Sequence, residues 1–143
     1  MNVATILKQK GRSVATVAPT ATLQEVAKRL AQRRIGALVV VGSRGQIEGI
    51  VSERDIIRAL SETGAGCLVR PVAETMTRQV MTCQETDTLD EMMAMMTQGR
   101  FRHVPVVTDG DLVGIISIGD VVKHRVAEIE AEAQAIRDYI ATA

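Results

Sequence analysis

Aromatic side chains are almost missing from this chain: Phe101, Tyr139 and no Trp in 143 residues. Base-stacking platforms are built from such side chains, so binding of single-stranded nucleic acid loses its main support. Net charge is lacking too. Seventeen Lys/Arg balance seventeen Asp/Glu, which removes the basic excess expected of a nucleic-acid binder. Cysteine is scarce: Cys67 and Cys83 form no CxxC, and two isolated thiols fit burial in a reducing cytoplasm. HExxH, P-loop and GxGxxG patterns are absent, His occurs twice, and no nucleophile stands in pattern with a base. No apolar run approaches the roughly 18 residues of a membrane span. Met1–Lys8 lacks a signal peptide's order of basic region, apolar run and cleavage site. The expectation is a cytoplasmic, non-enzymatic protein with no metal, no nucleic-acid partner and no membrane.

What is present is aliphatic. Apolar residues make up 46% of the chain, and the core must come from Val, Ile, Leu, Ala and seven Met. The length suits one compact domain, or two small half-domains sharing a core. Charge is unevenly spread: residues 1–60 hold ten Lys/Arg and four Asp/Glu, the rest seven and thirteen. Such a split suits an anionic ligand near the basic half, contact between opposite halves of two copies, or simply two solvated surfaces.

The chain is written twice. Aligning Val14–Val41 with Val80–Val107 at an offset of 66 matches Thr16/Thr82, Thr20/Thr86, Thr22/Thr88, Leu23/Leu89, Glu25/Glu91 and Arg34/Arg100. After a turn one residue shorter in the second copy, Gly49/Gly114, Ile50/Ile115, Ser52/Ser117 and Asp55/Asp120 coincide at an offset of 65. Upstream, Val3–Leu7 answers Val72–Met76.

Each copy has the same local grammar. Residues 14–17 and 80–83 read as short extended pieces. Thr22-x-x-Glu25 and Thr88-x-x-Glu91 read as capping boxes that open helices. The first helix places Leu23, Val26, Ala27, Leu30 and Ala31 on one face, and the second Leu89, Met92, Met93 and Met96. The methionines read as adaptable core packing rather than a metal or cofactor site. Ala37–Val41 and Val104–Val107 are buried strands, returning as Ile47–Val51 and Leu112–Ile116. Helices follow from Asp55 and Asp120. Ser61–Pro71, with Gly64, Gly66 and Pro71, reads as a surface connection. Beyond Asp120 the helix continues to about Ala141, with Val122, Val126, Ile129, Ala133, Ile136 and Ile140 in heptad spacing. That stripe either docks on the module itself or pairs with another subunit.

The strand-to-helix junctions carry the chemistry: Gly49-Ile50-Val51-Ser52-Glu53-Arg54-Asp55 and Gly114-Ile115-Ile116-Ser117-Ile118-Gly119-Asp120. One reading is structural, Ser and Asp closing a capping box. The other is a ligand site, with helix N–H groups facing a phosphate and a carboxylate accepting ribose hydroxyls.

With duplication, strand order and both Gly-h-h-Ser-x-x-Asp segments, the chain resembles a tandem pair of cystathionine-β-synthase (CBS) domains, a Bateman module, over roughly residues 3–125. The resemblance implies an α+β fold of two pseudo-twofold-related β-α-β-β-α repeats with a C-terminal helical extension. Its parts would be repeat one at 1–61, a linker at 62–71, repeat two at 72–125 and the extension at 126–143. It further implies clefts between the repeats for adenosyl ligands (AMP, ADP, ATP, NAD(H) or S-adenosylmethionine) and a homodimer. Carried over by residue, the first cleft uses Ala15, Thr16, Ile35, Gly36, Ala37 and Val39 with Ile115, Ser117, Gly119 and Asp120. The second uses Met81, Thr82, Phe101, Arg102, His103 and Pro105 with Ile50, Ser52, Arg54 and Asp55. Repeat one has Val39 where repeat two has Pro105, the family's usual residue. Arg54, Arg102 and His103 make the second cleft the better phosphate holder. His103 alone reads as a hydrogen-bonded structural residue. The functional expectation is a regulatory adenine-nucleotide module acting on an effector protein in trans; the alternative is a structural homodimerisation module with vestigial clefts.

Overall fold

A computed structural model describes residues 1–142. The first half contains β1 (Thr16–Val17), α2 (Leu23–Arg33), β2 (Ala37–Val41), β3 (Ile47–Ser52) and α3 (Glu53–Thr63). The second contains α4 (Leu89–Gly99), β4 (His103–Thr108), β5 (Asp111–Ser117) and α5 (Ile118–Thr142). Helix α1 (Val3–Lys10) precedes both. This is the α+β pattern expected of two repeats followed by a C-terminal helix, and α5 runs on without interruption.

Local chemistry explains the helix starts. Thr22 Oγ1 accepts the Glu25 N–H at 3.2 Å and Glu25 Oε2 accepts the Thr22 N–H at 3.2 Å, a complete capping box. At Thr88 only half of the expected box forms: its hydroxyl accepts the Glu91 N–H at 3.1 Å, without the reciprocal bond. Leu23, Val26 and Leu30 bury one face of α2; Leu89, Met92 and Met96 do the same for α4. Each large apolar side chain so buried contributes roughly 1.5–3 kcal/mol. Met95 packs against the second core and also lines a cavity.

The two sheets differ for one atomic reason. In the first, β1 pairs in parallel with β2, and the Val39 N–H donates to the Ala15 carbonyl at 3.2 Å. The equivalent residue in the second half is Pro105, which has no N–H to offer Met81. Pairing there shrinks to a single bridge, Cys83 with Val106, and the sheet keeps only β4 and β5. The extended strand expected at 80–83 is therefore absent, and Met81 swings out to half exposure.

The halves also exchange segments. Val3, Ile6 and Leu7 of α1 lie in the second half's core with Leu89, Met92 and Val104. Val72 and Met76 lie in the first half's core with Leu23, Val26 and Leu38. The backbone repeats the exchange atom for atom. The Val72 N–H donates to the Ala21 carbonyl at 2.7 Å, and the Val3 N–H to the Asp87 carbonyl at 2.9 Å. The link is more than a surface connection: α3 reaches Thr63, a 3-10 helix covers Gly64–Val69, and Cys67 is buried in the first core.

The exchange explains the first letter of each Gly-h-h-Ser-x-x-Asp motif. A Cβ on Gly49 would stand 2.5 Å from Met76 Sδ and 2.9 Å from the Thr77 carbonyl oxygen. A Cβ on Gly114 would meet only the end of Leu7, at 2.7 Å. Leucine rotamers yield more easily than a backbone carbonyl. Gly49→Ala is expected to lower stability by about 1–3 kcal/mol, and Gly114→Ala by less, as read from urea melts.

Candidate functional site

The junctions place their motif residues at the seam between halves. Ser52 caps α3: Asp55 Oδ2 accepts the Ser52 N–H at 2.9 Å and Ser52 Oγ accepts the Asp55 N–H at 3.4 Å. Ser117 and Asp120 repeat the arrangement at 2.9 and 3.1 Å. The structural reading of both motifs is thus realised, and what separates them is what else each aspartate meets.

Asp55 is buried, and its Oδ1 accepts from Arg58 Nη2 at 2.6 Å and from Thr77 Oγ1 at 3.2 Å. With Ser52 Oγ also donating to Oδ2 at 3.2 Å, the carboxylate accepts four hydrogen bonds, its full capacity. Asp120 instead meets Lys10, whose Nζ lies 2.7 Å from Oδ2 and 2.9 Å from the Ile115 carbonyl oxygen. Where the first half uses Thr77 backbone atoms to pair with Ile50 at 2.8 and 2.9 Å, the second uses a lysine ammonium.

Burial raises the Asp120 pKa, but the hydrogen bond from Lys10 and those from Ser117 outweigh it and leave the carboxyl below its ordinary value of 3.8. A depressed carboxyl pKa adds stability that is complete above the unfolded value and lost as pH falls through the folded one. Wild type is therefore expected to hold a stability advantage over Lys10→Met at neutral pH. Melts in steps from pH 6 to pH 2 should show it disappear below about pH 4.

One cavity of about 960 Å³ opens between the halves. Ile50, Ser52, Arg54 and Asp55 line it from the first half, and Met81, Phe101, Arg102 and His103 from the second. Gly36, Ser117 and Gly119, assigned in sequence to the other cleft, line the same space. The two further residues of the second-cleft set stand elsewhere. Thr82 faces a separate hollow of about 560 Å³ at the far end of the sheet, and Pro105 is buried in β4. Ala15, Thr16, Ile35, Ala37, Val39, Ile115 and Asp120 line neither cavity. Val39 has no exposed surface and Ala37 almost none, so neither side chain can form a ligand wall as expected. The Thr16 carbonyl is taken by Arg29 Nη1 at 2.7 Å.

Sequence reasoning missed several lining residues. Arg58 sits one turn beyond Asp55, a spacing that puts both on one helix face. Arg100 was visible as a repeat identity with Arg34, and each holds a left-handed helix cap, at φ 55° and 53° respectively. Thr77, Gln79, Val80, Met95 and Gln98 carried no motif. His103 makes no hydrogen bond to another described side chain, contrary to its structural reading. Its ring instead crosses the seam, and a Cβ on Gly36 would come within 2.9 Å of Nε2. Burial first, then Lys10 and Arg102, hold its pKa below the usual 6.5.

Four arginines (Arg54, Arg58, Arg100 and Arg102) face this cavity against two carboxylates, Glu53 and Asp55. Ile50, Val80, Met81, Phe101 and Ile118 give it apolar surface. Among the described residues there is no His/Cys/Asp/Glu cluster fit for a metal, and no helix long and apolar enough to cross a membrane. Both cysteines are buried, and burial pushes the Cys83 thiol up to about 12, with Asp87 adding to the shift.

The family model for the CBS domain matches residues 10–62 and 70–127, and the chain belongs to that family as a tandem pair. It is similar to the crystal structure of a CBS-domain-containing protein from Agrobacterium tumefaciens, at 48% identity and a TM-score of 0.85, covering 87% of this chain and 92% of that one. It resembles a CBS domain protein from Pyrobaculum aerophilum complexed with AMP, at 32% identity and a TM-score of 0.75, over 84% and 89% of the two chains. It also resembles the CBS domain pair of protein MJ0100 in complex with 5′-methylthioadenosine and S-adenosyl-L-methionine, at 28% identity and a TM-score of 0.79, over 90% and 98%. Among curated relatives the chain spans 69% of one and 22% of another, longer one.

Proposed function

We propose that this CBS pair is a regulatory module that binds one phosphorylated adenine nucleotide per chain, in the cavity between its halves, and signals to another protein. The observation that carries the reading is the lining itself: an apolar shelf beside four guanidinium groups, in a space at the upper end of the range for small-molecule sites. Adenine suits the shelf of Ile50, Val80 and Met81, and phosphate suits Arg54 and Arg102, which have no carboxylate partner among the described residues. Asp55 accepts ribose hydroxyls by releasing Thr77 and Arg58, which frees Arg58 for phosphate. The relatives with ligands support the adenosyl class. Within that class charge sorts the candidates, because a sulfonium ligand meets four like charges and a phosphate four opposite ones.

Occupancy regulates by its difference in affinity between arrangements of the halves. His103 against Gly36 is one contact such a change would move. The first cleft stays closed in this reading, since Lys10 already occupies Asp120 and the Ile115 carbonyl. Lys10→Met is expected to raise bound AMP from about one to two per chain, counted by equilibrium dialysis.

Thermal shift against AMP, ADP, ATP, NAD(H), 5′-methylthioadenosine and S-adenosylmethionine tests the function, because a ligand that binds only the native state raises the melting temperature. Larger shifts with the phosphorylated ligands are expected. A flat response across the panel would sink the sensor reading. The scaffold reading would then gain from the fully engaged Asp55 carboxylate, which needs no ligand for its hydrogen bonds.

A further inference from the structure

Pro105 leaves a second mark on the molecule. Met81 stands where the first repeat has Ala15, whose carbonyl is held by the Val39 N–H. With Pro105 opposite, no such bond holds Met81, and its side chain is 50% exposed along the cavity. Oxidants have few other places to act. Cys67 and Cys83 are buried in the two cores, and burial keeps the Cys83 thiol protonated, whereas the thiolate is the reactive form. Met76, Met92 and Met96 are at most 7% exposed, and Met93 and Met95 pack against the second core. Among the described residues Met1 is the one other exposed methionine, and it lies outside the cavity, its amine paired with Glu128 at 2.9 Å.

We propose that Met81 is a site of reversible oxidation by hydrogen peroxide, and that its sulfoxide lowers the module's affinity for nucleotide. The inference rests on the reading of the cavity as the nucleotide site. In the step itself, the thioether sulfur attacks one peroxide oxygen, the O–O bond breaks and an S–O bond forms. The other oxygen leaves as hydroxide and takes the proton of the S–OH group to give water. Sulfur is oxidised and peroxide reduced, with no further reactant. The product changes the cavity in one direction. A flexible apolar edge of the adenine shelf becomes polar. Its new oxygen is also an acceptor in a space where Arg54 and Arg102 have no carboxylate partner among the described residues. Adenine loses apolar contact, and phosphate gains a competitor for the guanidinium groups.

The test treats the whole chain with hydrogen peroxide and follows each methionine by peptide mass spectrometry. Without nucleotide, Met81 and Met1 should react first, and Met93 and Met95 about tenfold more slowly. AMP should protect Met81 and leave Met1, outside the cavity, unchanged. Calorimetric titration of the oxidised chain should show AMP affinity down about tenfold, and methionine sulfoxide reductases of both stereospecificities should restore it. Met81→Leu, compared with its own untreated form, should lose less than about twofold on the same treatment. Met81 reacting no faster than Met93 and Met95, or an equal loss of affinity in oxidised Met81→Leu, would overturn the proposal. Unchanged AMP binding by the oxidised wild type would overturn it alone, whereas an untreated chain that binds no AMP would take the nucleotide reading down with it.

Discussion

Replacing Arg54 and Arg102 together with alanine is expected to weaken AMP binding about a hundredfold while leaving the stability of the free protein within about 0.5 kcal/mol. The asymmetry follows from what these side chains do without ligand. Both are exposed at the cavity mouth. Among the described residues the one side-chain bond of Arg54 is a 3.5 Å approach to the Arg100 carbonyl oxygen, too long to contribute much. Arg102 makes no side-chain ion pair among the described residues, and removing it relieves repulsion among four like charges. With phosphate present the position reverses. Each guanidinium then makes a charge-assisted hydrogen bond worth about 1.5–3 kcal/mol, and tenfold per residue corresponds to about 1.4 kcal/mol. Calorimetric titration of wild type and both single variants measures the loss. Raising the salt concentration should weaken wild-type binding more steeply than that of the double variant, which keeps only Arg58 and Arg100 at the cavity. A double variant that binds AMP like wild type would remove phosphate recognition from this cavity.

The second large effect separates the two aspartates. Asp55→Ala is expected to cost about 2–3 kcal/mol of stability: a helix cap worth about 1 kcal/mol plus two further buried acceptor bonds. One of those bonds, from Thr77, ties α3 to the segment arriving from the other half. The same variant should lose most AMP affinity, because the ribose acceptor goes with it. Asp120→Ala should cost less stability, since its cap is equivalent but its carboxylate is 25% exposed against 7% for Asp55. Its AMP affinity should stay within about twofold of wild type. Urea melts give the first comparison, and titration at a temperature where all variants are folded gives the second. Equal loss of affinity in both would mean that the two clefts bind alike, against the closed state of the first.

These two aspartates also show how far the residues could be read without coordinates. Duplication, strand order and both capping motifs were legible because they depend on local spacing: Thr22 with Glu25, Ser52 with Asp55, and apolar runs of strand length. The exchange of α1 and Val72–Met76 between cores was half visible, as a repeated pentapeptide, but no local pattern says which core a segment enters. Lys10 was invisible as a partner of Asp120, since the two lie 110 residues apart and lysines on helix ends are ordinarily solvated. Pro105 reads in the sequence as the family's usual residue and as part of the second cleft. Its consequence lies in the hydrogen bond it cannot donate, which shortens a strand and turns Met81 into the cavity. Arg58 was missed for a simpler reason: it follows Asp55 at helical spacing, and that spacing was applied only to apolar residues.

The exposed stripe of α5 shows the opposite case. Its heptad steps were plain in the sequence, yet whether they faced the module or left it depended on the angle between Val122 and Val121 around one helix. Three-dimensional placement decided it: Val121 is buried against the body, while Val122, Val126 and Ile129 are exposed.

Isothermal titration of the wild-type chain with AMP tests the central claim most directly, because it reports occupancy and affinity together. The account predicts saturable binding at one AMP per chain, weakening as salt is raised. Two equivalent sites per chain, or no heat at any concentration short of crowding, would contradict it.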